Sequence, residues 1–142
     1  MAISKNTLST DVWDTIYTYI QTTNPITTNN IFSSVNSTLV KSKGYPLVIM
    51  ETPLVSVMKL NVTGSFVQSE VTINFDVYHT SNQNLKVVKD EVVSKLLAGR
   101  DAFGTDGLKR MQIQDGAYDS WEEGNKKIHR FTFAVKFFYT EQ

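Results

Sequence analysis

The stretch VQSEVTINFDV, residues 67–77, decides the fold. Val67, Val71, Ile73, Phe75 and Val77 alternate with Gln68, Glu70, Thr72, Asn74 and Asp76. A period of two residues is that of an extended strand with one face in a core, and the other face is wet or meets a partner. A second run of the same period lies near the end of the chain, where Phe131, Phe133, Val135, Phe137 and Tyr139 alternate with Arg130, Thr132, Ala134 and Lys136. Such clean alternation predicts an antiparallel sheet with one covered face.

Directly after the first run, Ser81 or Asn82 is placed to cap a helix in which Leu85, Val88, Val92 and Leu96 recur at spacings of three and four. Val87, Val93 and Leu97 widen its apolar side, and Gly99 is placed to end it. Before the first run, residues 54–62 read as extended and Thr63-Gly64-Ser65 as a turn, which predicts a hairpin into residue 67. Farther back, Gly44-Tyr45-Pro46 punctuates the chain ahead of Leu47-Val48-Ile49-Met50, a short apolar run of the buried-strand type.

An N-terminal helix is predicted from Val12, Ile16 and Ile20 beside Trp13 and Tyr17, with Ser9 or Thr10 as its cap, Asp11 in its first turn and Asn24-Pro25 as its stop. Threonines at 15, 18, 22 and 23 lower its intrinsic preference, so packing on a sheet must hold it. Residues 22–44 are rich in Thr, Asn and Ser and show no sustained period; they read as a long irregular loop with room for a short strand or helical turn around 31–40. Residues 100–107 read as a loop, 108–115 as a strand with Met111 and Ile113 facing one way, and 116–127 as a polar segment. This order predicts an α+β fold, a mainly antiparallel β-sheet with two α-helices packed on one face, as a single domain over residues 1–142.

Composition fits that expectation. The chain has 142 residues, enough for one core, with 41% hydrophobic and 20% charged residues, unlike a disordered chain. Lys plus Arg and Asp plus Glu both total 14, so no overall field draws the protein to nucleic acid or an anionic membrane. The absence of cysteine excludes disulfides, thiolate catalysis and cysteine-ligated metal. Residues 1–10 lack the charged and apolar regions of a secretory signal, and the longest apolar run, 46–50, is far below the roughly 20 residues that span a bilayer. A soluble chain made in the cytoplasm is expected.

The chemistry-bearing residues do not assemble into a motif. His79 and His129 lack metal-ligand spacing and read as partly exposed strand ends. Glu70 and Asp76 share a strand face but stand about 20 Å apart at ~3.3 Å per residue, too far to cooperate. Asp115, Asp119, Glu122 and Glu123 gather in the polar segment without the spacing of a calcium loop, and read as a solvated acidic loop. Gly99 and Gly104 have the spacing of a phosphate loop, but Thr105 and Asp106 stand where lysine and a hydroxyl are needed. Lys41 and Lys43, Lys109 and Arg110, and Lys126, Lys127 and Arg130 are small basic groups that would touch phosphate only if the fold or a ring collected them. The expectation is a protein that is not an enzyme and has no cofactor or metal.

The layout itself carries a resemblance. An N-terminal helix, a long loop, Tyr45-Pro46 leading into residues 47–50, a long alternating strand ending Phe75-Asp76-Val77-Tyr78-His79 before the helix at 84–98, and the closing strand 131–139 resemble the tail terminator proteins of long-tailed bacteriophages and related viruses. These are also called tail-completion or minor tail proteins. The resemblance covers most of the chain and rests on layout, the family having no catalytic signature. It implies a structural virion protein at the neck-proximal end of the tail. Such a protein forms a homo-oligomeric ring, commonly a hexamer, that caps the tail tube, ends its polymerisation and provides the interface for head–tail joining. The implied partners are the tail tube protein and the head–tail connector or neck proteins, with DNA passing through the lumen without sequence-specific binding and no membrane involved.

On this reading subunit contacts are expected on Gln68, Glu70, Thr72, Asn74 and Asp76, which face away from the core. Tube or connector contacts are expected at Ile31, Phe32, Lys41, Lys43, Asp119, Trp121, Lys126 and Lys127. Another neck or tail tube component is the alternative. A small-ligand-binding α+β protein or enzyme is a third, and would show a concave site with perturbed titratable groups.

Overall fold

The structure is a computed structural model that describes residues 3, 7–27, 31–33, 40, 44–60 and 67–141. Its elements in chain order are α1 (Leu8–Thr18), β1 (Ile31–Phe32), β2 (Leu47–Met50), β3 (Leu54–Leu60), β4 (Val67–His79), α2 (Asn82–Ala98), α3 (Arg100–Thr105), β5 (Leu108–Glu123) and β6 (Lys126–Glu141). The strands form one sheet in the order β1-β2-β4-β6-β5, with β3 also on β4. One edge of β4 takes β2 along residues 75–78 and β3 along 67–72, while β6 pairs with its whole other edge. Only the β1–β2 pair is parallel, so the fold is α+β with a mainly antiparallel sheet.

The alternation of β4 and β6 becomes two faces because the strands pair in register, Val71 opposite Phe137, Ile73 opposite Val135 and Phe75 opposite Phe133. These residues are fully buried under Val12, Ile16 and Ile20 of the N-terminal helical segment and Leu85, Val92 and Leu96 of α2. Each such large side chain contributes about 1.5–3 kcal/mol of burial, and Phe75 stacks on Phe133 with centroids 5.0 Å apart. Trp13 ties α1 to the sheet, its Nε1 donating to the Met50 carbonyl at 2.7 Å. These contacts supply what the threonine-rich helix lacks in propensity.

The helix ends differ in part from the sequence reading. Ser81 caps α2 as expected, its Oγ accepting from the Asn84 N–H at 3.3 Å. Helix α1 begins earlier than predicted: Thr7 is the capping position, and Ser9 and Thr10 lie inside the helix. After Thr18 the chain continues as a π-helical turn, Tyr19–Thr23, which ends at Asn24 as Asn24-Pro25 predicts. Helix α2 ends at Ala98 with Gly99 at its C-cap, as expected, though with φ −84° rather than a left-handed turn, and residues 100–107, expected to be a loop, begin with helix α3. Glycine is needed there because a Cβ would lie 2.8 Å from both the Phe103 and Tyr19 rings.

The polar segment 116–127 is also corrected. Residues 108–123 form one strand and 126–141 the next, joined by a tight turn in which Gly124 has φ +63°. Pattern reading missed the outer half because both its faces are exposed, so apolar alternation is absent while the backbone ladder with β6 persists. The register shifts between Lys109 and Gln112 and between Asp115 and Tyr118, as bulges do at sheet edges. Within the expected loop 22–44, Ile31–Phe32 forms the short strand β1. Among the described residues no helix is long and apolar enough to cross a membrane.

Candidate functional site

Both long helices lie on one side of the sheet, which leaves the other side to the alternate residues. Register places Glu70, Thr72, Asn74, Asp76 and Tyr78 of β4 opposite Phe138, Lys136, Ala134, Thr132 and Arg130 of β6, all directed away from the helices, and Gln68 follows the same alternation. Strand β5 adds Gln112, Gln114, Asp119 and Trp121 through their pairing with Lys136, Ala134, Arg130 and Ile128. The expected subunit-contact residues therefore share one face, which neither long helix covers. They are half-buried by their neighbours rather than fully exposed.

One end of this face is built around Arg130. Its Nε and one terminal nitrogen donate to the two Asp119 carboxylate oxygens at 2.9 and 2.8 Å, and its guanidinium lies 5.7 Å from the Trp121 ring centroid. Trp121 in turn meets Tyr78 edge-on at 6.1 Å. Hydrogen bonding to Asp119, and then to Tyr78, raises the Arg130 pKa further above its ordinary range. Burial pushes the Tyr78 hydroxyl up, as it does that of Tyr45, where Glu123 adds to the effect. Beneath them Leu47, Ile49, Tyr78 and Ile128 form a small buried cluster against which Phe32, Val40 and Tyr45 pack.

Beside this cluster a shallow groove of about 370 Å³ crosses the sheet, lined by Glu51, Asn74, Asp76, Gln114 and Thr132 among others. Burial raises the Asp76 pKa above the usual carboxylate range; Glu51 adds to this and Arg130 opposes it. Toward the other end of the face, Glu70 is neutralised by Lys136 at 2.9 Å. Arg110, in the β5 bulge with φ +55°, lies over Phe138 at 5.9 Å.

The expected tube-contact residues are scattered. Ile31 is a correction: β1 pairs in parallel with β2, setting Ile31 beside Val48 inside the main core at 3% exposure, so it offers no surface. Phe32, one residue on, turns to the other side and packs on the small cluster. Asp119 and Trp121 join the Arg130 end of the uncovered face. Lys126 and Lys127 are exposed at the hairpin tip opposite Glu123 and Glu122, on alternate faces. Lys41 and Lys43 lie outside the described residues.

Glu51, Tyr45, Tyr78 and Arg130 belong to this face, but sequence reading did not single them out for it. Tyr78 and Arg130 do follow the alternation of their strands; what the sequence lacks is the register that sets one opposite the other.

On the helix side the two histidines do come together, opposite each other across β4 and β6. His129 is 9% exposed and is corrected from a partly exposed strand end to a buried one. Its Nδ1 is hydrogen-bonded to the Tyr118 hydroxyl, whereas His79 Nδ1 accepts from the Ser81 N–H at 3.2 Å. Burial, and secondarily His129, lowers the His79 pKa. Tyr118 rather than a carboxylate orients His129, so the arrangement is not that of an activated base. Among the described residues no group of three or more His, Asp or Glu side chains could hold a metal ion.

No protein-family model matches the chain, and no curated protein matches it.

Proposed function

We propose that this protein is a structural subunit of the tail terminator type: it assembles into a ring that caps a virus tail tube, ends its polymerisation and presents a surface for joining the head. The observation that supports the reading most directly is the sheet face left uncovered by both helices, 13 residues long on β4 and carrying a preorganised Arg–Trp–Tyr cluster. Trp, Tyr and Arg dominate the energetics of protein interfaces, and a face of this kind suits neighbouring subunits better than small-molecule chemistry. A head-to-tail contact closes into a ring when its rotation permits.

The mass of the purified protein, measured by light scattering over a range of concentrations, tests the reading together with electron microscopy and binding to assembled tail tubes. Closed rings that bind tube ends are expected. Indefinite filaments would transfer the protein to the tube subunits, and a monomer at all concentrations that ignores tubes would refute the proposal.

A further inference from the structure

Six charged side chains on or at the rim of this face form no ion pair among the described residues: Glu51, Asp76, Glu123 and Lys126 toward one end, and Lys109 and Arg110 toward the other. Glu51 and Asp76 line the groove at one end. Lys109 and Arg110 are exposed at the edge strand near the other, where Lys109 faces Phe138 of β6. Asp76 faces Thr132 of the same strand, six residues before Phe138, so the two groups are about 20 Å apart at ~3.3 Å per residue. The remaining charges of the face, Asp119 with Arg130 and Glu70 with Lys136, neutralise each other within the subunit. Setting Lys126 against Glu51, Asp76 and Glu123, the unpaired charges leave one end of the face net negative and the other positive.

We infer that the occupant of this face is a second copy of the chain, placed head to tail, with the Lys109–Arg110 bulge of one copy seated in the Glu51–Asp76 groove of the next. The argument is charge complementarity joined to position. A groove flanked by two carboxylates that have no ion pair among the described residues, with only the Arg130 charge partly offsetting Asp76, disfavours an apolar or acidic surface and accepts a basic one. The basic pair lies on β5, the last strand in the sheet order, where both side chains are exposed although Lys109 Nζ also donates to the Gly104 carbonyl and Arg110 lies over Phe138. Arg110 suits the part because a planar, permanently charged guanidinium pairs with a carboxylate through two hydrogen bonds. Donor and acceptor patches are different surfaces, so each copy uses both and the contact repeats around a ring. This inference rests on the ring reading above and names the contact that would carry it.

Reversal of charge tests it. Glu51→Lys with Asp76→Lys, and separately Lys109→Glu with Arg110→Glu, should each raise the concentration required for assembly at least ~100-fold. Far-UV circular dichroism should stay that of the wild type. A 1:1 mixture of the two variants should recover assembly, in rings of even copy number, because each groove again meets a bulge of opposite sign. Should the lysine pair fail to fold, Glu51→Gln with Asp76→Asn takes its place and should weaken assembly in the same direction.

Rings formed by either reversed variant alone at wild-type concentration would overturn the contact while leaving the ring reading intact. Recovery that stops at two copies would overturn the head-to-tail arrangement in favour of a two-fold pair. A wild-type protein that never assembles would remove the ring reading, and the contact with it.

Discussion

Replacing Gly99 by alanine sets two effects of opposite sign against each other. The backbone at Gly99 has φ −84° and ψ −2°, a right-handed conformation open to any residue, so alanine should gain about 0.5–1 kcal/mol over glycine at the junction of α2 and α3. Against this, the new Cβ would lie 2.8 Å from Phe103 Cζ and Tyr19 Cε1 and 2.9 Å from Phe103 Cε2. Both rings border a pocket of about 200 Å³, but contacts on their other sides limit how far they can shift into it. Phe103 is 1% exposed, edge-on to Tyr19 at 5.1 Å and to Phe137 at 5.9 Å. Overpacking of this kind costs about 1–3 kcal/mol, so the clash should win by about 1 kcal/mol at mid-range and by up to about 2.5 kcal/mol. In a chain of 142 residues that is a fall of roughly 3–8 °C in melting temperature. Reversible unfolding followed by circular dichroism measures it, at a protein concentration where both variants have the same mass. Adding Phe103→Leu should shrink the clash, leaving the double variant more stable than the sum of the single effects by about 1 kcal/mol. A Gly99→Ala protein as stable as the wild type, or strict additivity in the double variant, would refute the reasoning.

Two further predictions concern pH. The folded His79 pKa is lowered, so between it and the ordinary value near 6.5 the unfolded chain binds more protons and stability rises with pH. The full contribution is present above about pH 6.5 and is lost on acidification toward the folded value. His79→Asn keeps an acceptor near the position of Nδ1 without titrating, so its melting temperature should fall less than the wild type's between pH 7.5 and 5.5; parallel curves would exclude His79 as the cause. Asp76 has the opposite sign: its folded pKa is raised, so its charged form costs stability above that value and the cost disappears below the ordinary carboxylate range. Asp76→Asn should stabilise the subunit at pH 7 and converge with the wild type near pH 3.5, as urea titrations at both pH values would show.

The parts of the fold legible in the sequence are those with one buried face. Strands β4 and β6 and helix α2 announce themselves because Val71, Ile73, Phe75 and Val77, or Leu85, Val92 and Leu96, must reach one core. The outer half of the β5–β6 hairpin was not legible, since residues 114–127 are exposed on both faces and are held as strands by pairing between β5 and β6 rather than by a buried apolar face. Helix α3 was hidden for a related reason: it is six residues long and buries one side chain, Phe103, too few for a period to show. The site was half visible. Alternation alone put Gln68 to Asp76 on an uncovered face, but Glu51 and Arg130 arrive from β2's end and β6 through long-range pairing that no local pattern records.

The uncovered face also discriminates among surfaces that could lie on it. An isolated hairpin as long as β5–β6 is marginal in water, and cross-strand pairs such as Tyr118 with His129 and Asp119 with Arg130 supply about 0.2–1 kcal/mol each to hold its shape. Because Arg130 is already paired with Asp119 and stacked on Trp121, covering it buries a neutralised group in a fixed geometry, which keeps the ordering cost of contact small. Glu51 and Asp76 have no ion pair among the described residues, and the Arg130 charge offsets Asp76 only in part, so an apolar cover would strand two carboxylates and an acidic one would repel them. Asp76→Asn should therefore move two measurements in opposite directions, raising the stability of the isolated subunit while weakening assembly. A residue kept only for the fold would move both the same way.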